Sequence, residues 1–191
     1  LIVTSLLEPV IKPHLVDRYL VSAEQGHIRP LIVFNKIDRV RETHHVQPLV
    51  GLYSQLGYSV VMTSAATGQG IDQLRALLHR KETVVVGQSG VGKSSLLNAL
   101  QPTFHLKVGD VSTSTQKGRH TTTAAQLLRL KGGGTVVDTA GVRQFELWDV
   151  ESGAVDGYFV EIPPFTPHCR LPGCTHSHEE QCAVKSAVAE G

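Results

Sequence analysis

The sequence predicts an α/β fold built on a mostly parallel sheet, and two patterns carry that reading. Short unbroken apolar runs recur at 31–34, 59–62 and 83–86, as expected of strands buried on both faces. Between them lie amphipathic stretches at about 12–25, 43–56, 71–79 and 93–100 with helical spacing. The opening residues 1–7 read as a further buried strand, and Gly26 and Gly57 follow two of the helices as stop signals. Runs at 125–130 and 135–138 are joined by Lys131 and three glycines, which predicts a hairpin and so one antiparallel edge. After about residue 157, prolines 163, 164, 167 and 172 arrive together with cysteines and histidines. That shift marks a second, smaller unit, and the expected division is 1–156 and 157–191.

Composition narrows the possibilities. The 191 residues are 41% hydrophobic and 18% charged, with a net charge of +1. No apolar run approaches the roughly 20 residues of a membrane span, so no membrane partner is expected. The near-zero charge gives no basic footprint for nucleic acid. The first seven residues lack the basic flank and cleavage pattern of a signal peptide. The missing initiating Met suggests a fragment. All three cysteines crowd into one C-terminal stretch beside histidines, a pattern that favours metal over disulfides and a reducing, cytoplasmic setting.

The strongest motif is GQSGVGKSS at 87–95: Gly87, Gln88, Ser89, Gly90, Val91, Gly92, Lys93, Ser94 and Ser95. It sits between a predicted strand and a predicted helix, where a phosphate loop must lie. Glycines let the backbone wrap an anion without Cβ clashes, and loop N–H groups together with the positive end of the helix dipole complement its charge. Lys93 is placed to reach the β- and γ-phosphates. Ser94 supplies a hydroxyl for Mg²⁺, and Asp138, ending the strand at 135–138, a carboxylate for the same ion.

Asn35, Lys36, Ile37 and Asp38 form an N-K-x-D element directly after a strand. A carboxylate at Asp38 can accept from both guanine N1–H and N2–H₂, a donor pair that adenine lacks, and the stem of Lys36 can lie along the base. By itself the tetrapeptide is equally a polar turn with Asp38 as a helix cap. Thr63, Ser64 and Ala65, after the strand at 59–62, resemble the companion loop that meets the guanine carbonyl. Asp138 and Gly141 open a D-x-x-G element in which the Gly141 N–H can sense the γ-phosphate. Within GRHTTT at 118–123, Thr122, with Thr121 as its alternative, is the expected switch hydroxyl on Mg²⁺. Together these elements predict GTP or GDP with Mg²⁺.

Motif order adds a further inference. In ordinary GTPases the phosphate loop comes first and the guanine-reading elements last, whereas here Asp38 and Ala65 precede Gly87. The fold class is therefore a P-loop NTPase, a circularly permuted GTPase, a rearrangement that domains tolerate because their termini commonly lie close together. Cys169, Cys174 and Cys182 with one of three histidines, His168, His176 or His178, make a closed four-ligand set of the kind that holds structural Zn²⁺.

Taken together, NKID at 35–38, GQSGVGKSS at 87–95, GRHTTT at 118–123, DTAGVR at 138–143 and C-x₄-C-x-H-x₅-C at 169–182 resemble the RsgA/YjeQ family of circularly permuted GTPases. The resemblance runs along nearly the whole chain. It implies His176 as the fourth zinc ligand and a helical zinc-binding C-terminal unit. It also implies late maturation of the small ribosomal subunit, with that particle and its rRNA as partners and stimulators, and a monomeric, cytoplasmic protein. The family's N-terminal OB-fold is expected to be absent from this chain, and the zinc unit to be cut short at Gly191. Ala140 stands where the family has proline, and Val142 where Ras-like proteins carry a water-positioning glutamine, so slow intrinsic hydrolysis is expected. The alternatives are an assembly module gated by nucleotide occupancy with negligible turnover, and a small-molecule kinase, against which Asp38 argues.

Overall fold

The computed structural model describes residues 1–42, 44, 47–108, 125–138 and 151–190. The chain divides into two compact units, Leu1–Tyr19 with Pro30–Phe145 and Leu20–Arg29 with Glu146–Gly191.

In the first unit, β1 (Ile2–Ser5), β2 (Leu31–Asn35) and β3 (Ser59–Met62) form a parallel trio in the order β1-β2-β3. A second trio holds β4 (Glu82–Val85), β5 (Gln126–Arg129) and β6 (Thr135–Asp138) in the order β4-β6-β5. β4 runs parallel to β6, and β5 runs antiparallel to it as the edge strand, so the predicted hairpin is present. The trios are joined where β1 meets the end of β4. Val3 N–H donates to Val86 O at 2.8 Å and Val86 N–H to Leu1 O at 2.9 Å, around a parallel bridge between Ile2 and Val86. One sheet results, ordered β3-β2-β1-β4-β6-β5. Counted instead from the strand that leads into Gly87, the same order reads 2-3-1-4-5-6 from the β5 edge. The permutation thus changes connectivity and leaves neighbours in place.

Helices α3 (Ile71–Leu78) and α4 (Lys93–Leu100) cover one face. Leu74, Leu78, Leu96 and Leu97 from these helices pack with Val33, Val85 and Val136 from the strands. Alternation along β2 turns Phe34 to the other face, where its ring meets Tyr53 of α2 (Gln47–Gln55), with centroids 6.4 Å apart. The Tyr53 hydroxyl donates to Asp17 of α1 (Pro13–Gln25) at 3.1 Å.

Three expectations change in detail. The helix expected over 43–56 is described from Gln47, and His44 lies in the turn before it, exposed; Thr43, His45 and Val46 are outside the described residues. Burial on both faces holds for β1 and β2 but not for β4, where Val84 is 46% exposed. Val84 pairs with Val137, and Val137 with Leu127, which is also exposed; apolar strand composition does not by itself report which face a layer covers. Gly57 takes the left-handed conformation after α2, whereas after α1 that role falls to His27 at φ 50° rather than to Gly26.

Besides the end of α1 from Leu20 onward, the described residues of the second unit form 3-10 segments Ser152–Tyr158 and Thr166–His168 and helix α5 (Ala183–Glu190). Among its described residues between 151 and 190, only Cys182 and Val184 are buried hydrophobic side chains. So small a core within 151–190 needs another source of cohesion.

Candidate nucleotide site and metal centre

Five parallel strands deliver their C-terminal ends to one edge of the first unit's sheet, the edge at which open α/β sheets bind ligands. The loop after β4 begins with Gly87, whose Cβ would lie 2.1 Å from Val3 O. Gly90 and Gly92 take positive φ of 84° and 94°. A Cβ at Gly92 would lie 2.5 Å from Asn35 Nδ2, so the loop is drawn tight against the guanine-type element. Gly92 precedes the first residue of α4, and no side chain caps that helix. Its first-turn N–H groups and dipole are thereby left for an anion to satisfy. Lys93 spans the loop, donating from Nζ to Gly87 O at 2.7 Å and Gln88 O at 3.0 Å. Burial lowers its pKa from the ordinary lysine value, and the nearby Asp138 carboxylate partly opposes the shift. Asp138 ends β6, 4% exposed. These features fit a phosphate with a divalent ion. Ser89 and Ser95 lie on the same loop and in the first turn of α4, and Val91 is buried beneath the loop.

Asn35 is the organising residue. Its Nδ2 donates to Val91 O at 2.9 Å, while its Oδ1 accepts from Thr63 Oγ1 and from Ala65 N–H, each at 3.2 Å. One buried amide therefore ties together the phosphate loop, its own N-K-x-D turn and the Ser64–Ala65 loop. Ile37 N–H adds a bond to Thr63 O at 3.2 Å. Asp38 is exposed in the short 3-10 turn Ile37–Arg39. Its Oδ1 accepts from Ser64 Oγ at 2.5 Å, and Ser64 Oγ in turn accepts from Thr67 N–H. The carboxylate is thus aimed by the neighbouring loop. Lys36 takes a left-handed φ of 64° and donates from Nζ to Glu8 O at 2.7 Å, and Arg39 pairs with the Glu8 carboxylate.

The structure brings together all the residues read as base- and phosphate-facing, from Asn35 to Ser95, with Asp138. Thr121, Thr122, Ala140, Gly141 and Val142 lie outside the described residues. Sequence reasoning missed Glu8, which lies on the loop after β1 and carries no motif at all.

In the second unit, Cys169, Cys174, His176 and Cys182 bring their ligand atoms within 4.8 Å of one another. Cys169 Sγ lies 3.9 Å from Cys182 Sγ and 3.6 Å from His176 Nδ1, which is 3.3 Å from Cys182 Sγ. A tetrahedral ion with metal–sulfur bonds of about 2.3 Å requires sulfurs about 3.8 Å apart, so this donor set fits zinc. Burial would raise the Cys182 thiol, but hydrogen bonds led by the Lys185 N–H bring it down to about 7, while the His176 N–H bond to Cys174 is outweighed by burial and the Cys182 and Cys169 sulfurs, which push that thiol up to about 11. The rivals His168 and His178 are not in the cluster. Two carboxylates escaped the sequence reading. Asp156 Oδ2 lies 3.2 Å from His176 Nε2. Glu179 accepts from Thr175 N–H at 2.7 Å and Ser177 N–H at 3.0 Å, on either side of His176. Asp156 lies with the ligands in the unit that takes in Glu146–Gly191.

Sheet order, phosphate loop and guanine-type loops together define a circularly permuted P-loop GTPase fold. Residues 1–148 match the RsgA GTPase family model. The chain belongs to that family. It is 44% identical to the small ribosomal subunit biogenesis GTPase RsgA of Shewanella oneidensis, covering 100% of this chain and 54% of that protein. It is 42% identical to the same-named protein of Chromohalobacter salexigens, covering 100% and 56%. The chain therefore spans about half the length of these curated relatives. Among solved structures it is similar to YjeQ from Thermotoga maritima, with TM-score 0.80, 37% identity and coverage of 100% of this chain and 63% of that one. The circularly permuted GTPase YloQ superposes with TM-score 0.76 at 32% identity, covering 100% and 61%.

Proposed function

We propose that the protein binds GTP and GDP with Mg²⁺, hydrolyses GTP slowly by itself, and acts in late maturation of the small ribosomal subunit, whose particle stimulates turnover. The observation that carries nucleotide binding is the Asn35 amide, which bonds to Val91 O and to Ala65 N–H and so couples the loop that holds phosphate to the loops that read the base. The ribosomal role rests on family membership and on the names of the relatives.

In this reading Asp38 pairs with the guanine N1–H and N2–H₂, the stem of Lys36 lies along the base, and the Ala65 N–H faces the guanine carbonyl. Loop amides over 87–95 and the α4 N-terminus hold the phosphates. Lys93 exchanges its loop carbonyls for phosphate oxygens and neutralises charge that develops on the γ-phosphoryl during in-line attack by water. Ser94, Asp138 and Thr122 would hold Mg²⁺, which when bound would supply charge neutralisation to the phosphates. Gly141 senses the γ-phosphate. Zinc on Cys169, Cys174, His176 and Cys182 is structural. We place the nucleotide-binding residues in 1–156 and the zinc ligands in 157–191, in a monomeric cytoplasmic protein that contacts rRNA.

GTP hydrolysis by the full-length protein, measured with and without purified small subunits, tests the proposal. Stimulated phosphate release supports it. Equal rates with and without the particle would remove the ribosomal part, and stoichiometric GTP binding without release would leave an occupancy-gated module.

A further inference from the structure

The His176 ring is held at both nitrogens. Nδ1 faces the Cys182 and Cys169 sulfurs at 3.3 and 3.6 Å, while Nε2 lies 3.2 Å from Asp156 Oδ2. A neutral imidazole has one N–H and one lone pair, and a carboxylate only accepts. Asp156 therefore places the proton on Nε2 and turns the Nδ1 lone pair toward the sulfurs. The arrangement is sheltered, for the side chains of His176 and Asp156 are 8% and 30% exposed. Asp156 comes from Ser152–Tyr158, a 3-10 segment outside the stretch that carries the ligands. His176 also needs holding, since its backbone sits at φ 58°, a conformation that costs a non-glycine residue energy.

We infer that Asp156 is a positioning residue of the metal centre, selecting Nδ1 of His176 as the ligand atom and fixing the ring's orientation and basicity. This rests on the zinc reading above. Carboxylate partners of metal-bound histidines act in this way, and losing one costs about 10–100-fold in metal affinity.

The test uses the full chain loaded with zinc. Metal content, zinc transfer to a chromogenic chelator and the long-range proton–nitrogen NMR spectrum of His176 are measured for wild type, Asp156→Ala, Asp156→Asn and Asp156→Glu. Wild type is expected to hold one zinc per chain, with His176 carrying its proton on Nε2. Asp156→Ala should weaken zinc binding about 10–100-fold, Asp156→Asn should fall between, and Asp156→Glu should restore part of the loss. If Asp156→Ala does not fold, the near-isosteric Asp156→Asn and the wild-type tautomer carry the test. A zinc-loaded wild type with the proton on Nδ1, or Asp156 variants with unchanged affinity, overturns the inference alone. A wild type that takes up no zinc overturns the metal reading and the inference together.

Discussion

Asp38 is exposed and Asn35 fully buried, and the two sites should respond differently to substitution. Asp38→Asn removes a carboxylate acceptor for two guanine donors and leaves the internal bonds of Asn35 intact. At roughly 1.5–3 kcal/mol for a hydrogen bond to a charged group, GTP affinity should fall by about 100-fold or more with little change in stability. Titration with a fluorescent GTP analogue beside urea unfolding separates the two effects. Asn35→Ala strands the Val91 carbonyl and the Thr63 and Ala65 donors, and should cost about 3 kcal/mol of stability as well as binding; the same pair of measurements checks it. Lys93 gives a pH prediction. Burial lowers its pKa in the free protein, and a bound phosphate favours the charged form. Binding must then take up a proton as pH rises through the lowered pKa, so nucleotide affinity falls above that pH. Calorimetry in two buffers of different ionisation enthalpy should show proton uptake there, and Lys93→Met should abolish it.

The loops depend on close approach between elements. Gly92→Ala would drive a Cβ to 2.5 Å from Asn35 Nδ2 at φ 94°, combining left-handed strain of about 1–2 kcal/mol with the broken bond to Val91 O. Loss of nucleotide binding and a lower unfolding midpoint are expected in the same variant. In the zinc-type loop, Glu179 accepts from the Thr175 hydroxyl and from the Thr175 and Ser177 N–H groups, and those bonds, the hydroxyl's foremost, keep its carboxyl well below the usual carboxylate range. Glu179→Ala frees the backbone around His176 and should speed zinc release to a chelator without moving the nucleotide affinity.

The first unit rests on a packed sheet, whereas residues 151–190 bury few hydrophobic side chains and rest on a four-ligand cluster. Removing metal with a strong chelator should therefore abolish the fold of residues 151–190 while GTP binding by the first unit persists, because structural zinc contributes on the order of 10 kcal/mol to such small domains. Circular dichroism and nucleotide titration on the same sample check this. Much of the first unit was legible because β1, β2 and β3 are short apolar runs, and because phosphate and guanine sites need particular residues at fixed local spacing. The motifs 35–38 and 87–95 also carried the permutation, since their order is a property of the chain alone. What the chain could not report was the partner of each polar group. Thr63 and Val91 meet at Asn35, Glu8 meets Lys36, and Asp156 meets His176 across gaps in sequence that no local pattern spans. Burial failed for the same reason at Val84, whose composition says strand but whose exposure depends on what another element covers. Residue types and short spacings determined the chemistry and the strand-by-strand class of this protein. Only the tertiary structure decided which groups touch, because side-chain hydrogen bonds reach about 3 Å and the chain must fold before distant residues come that close.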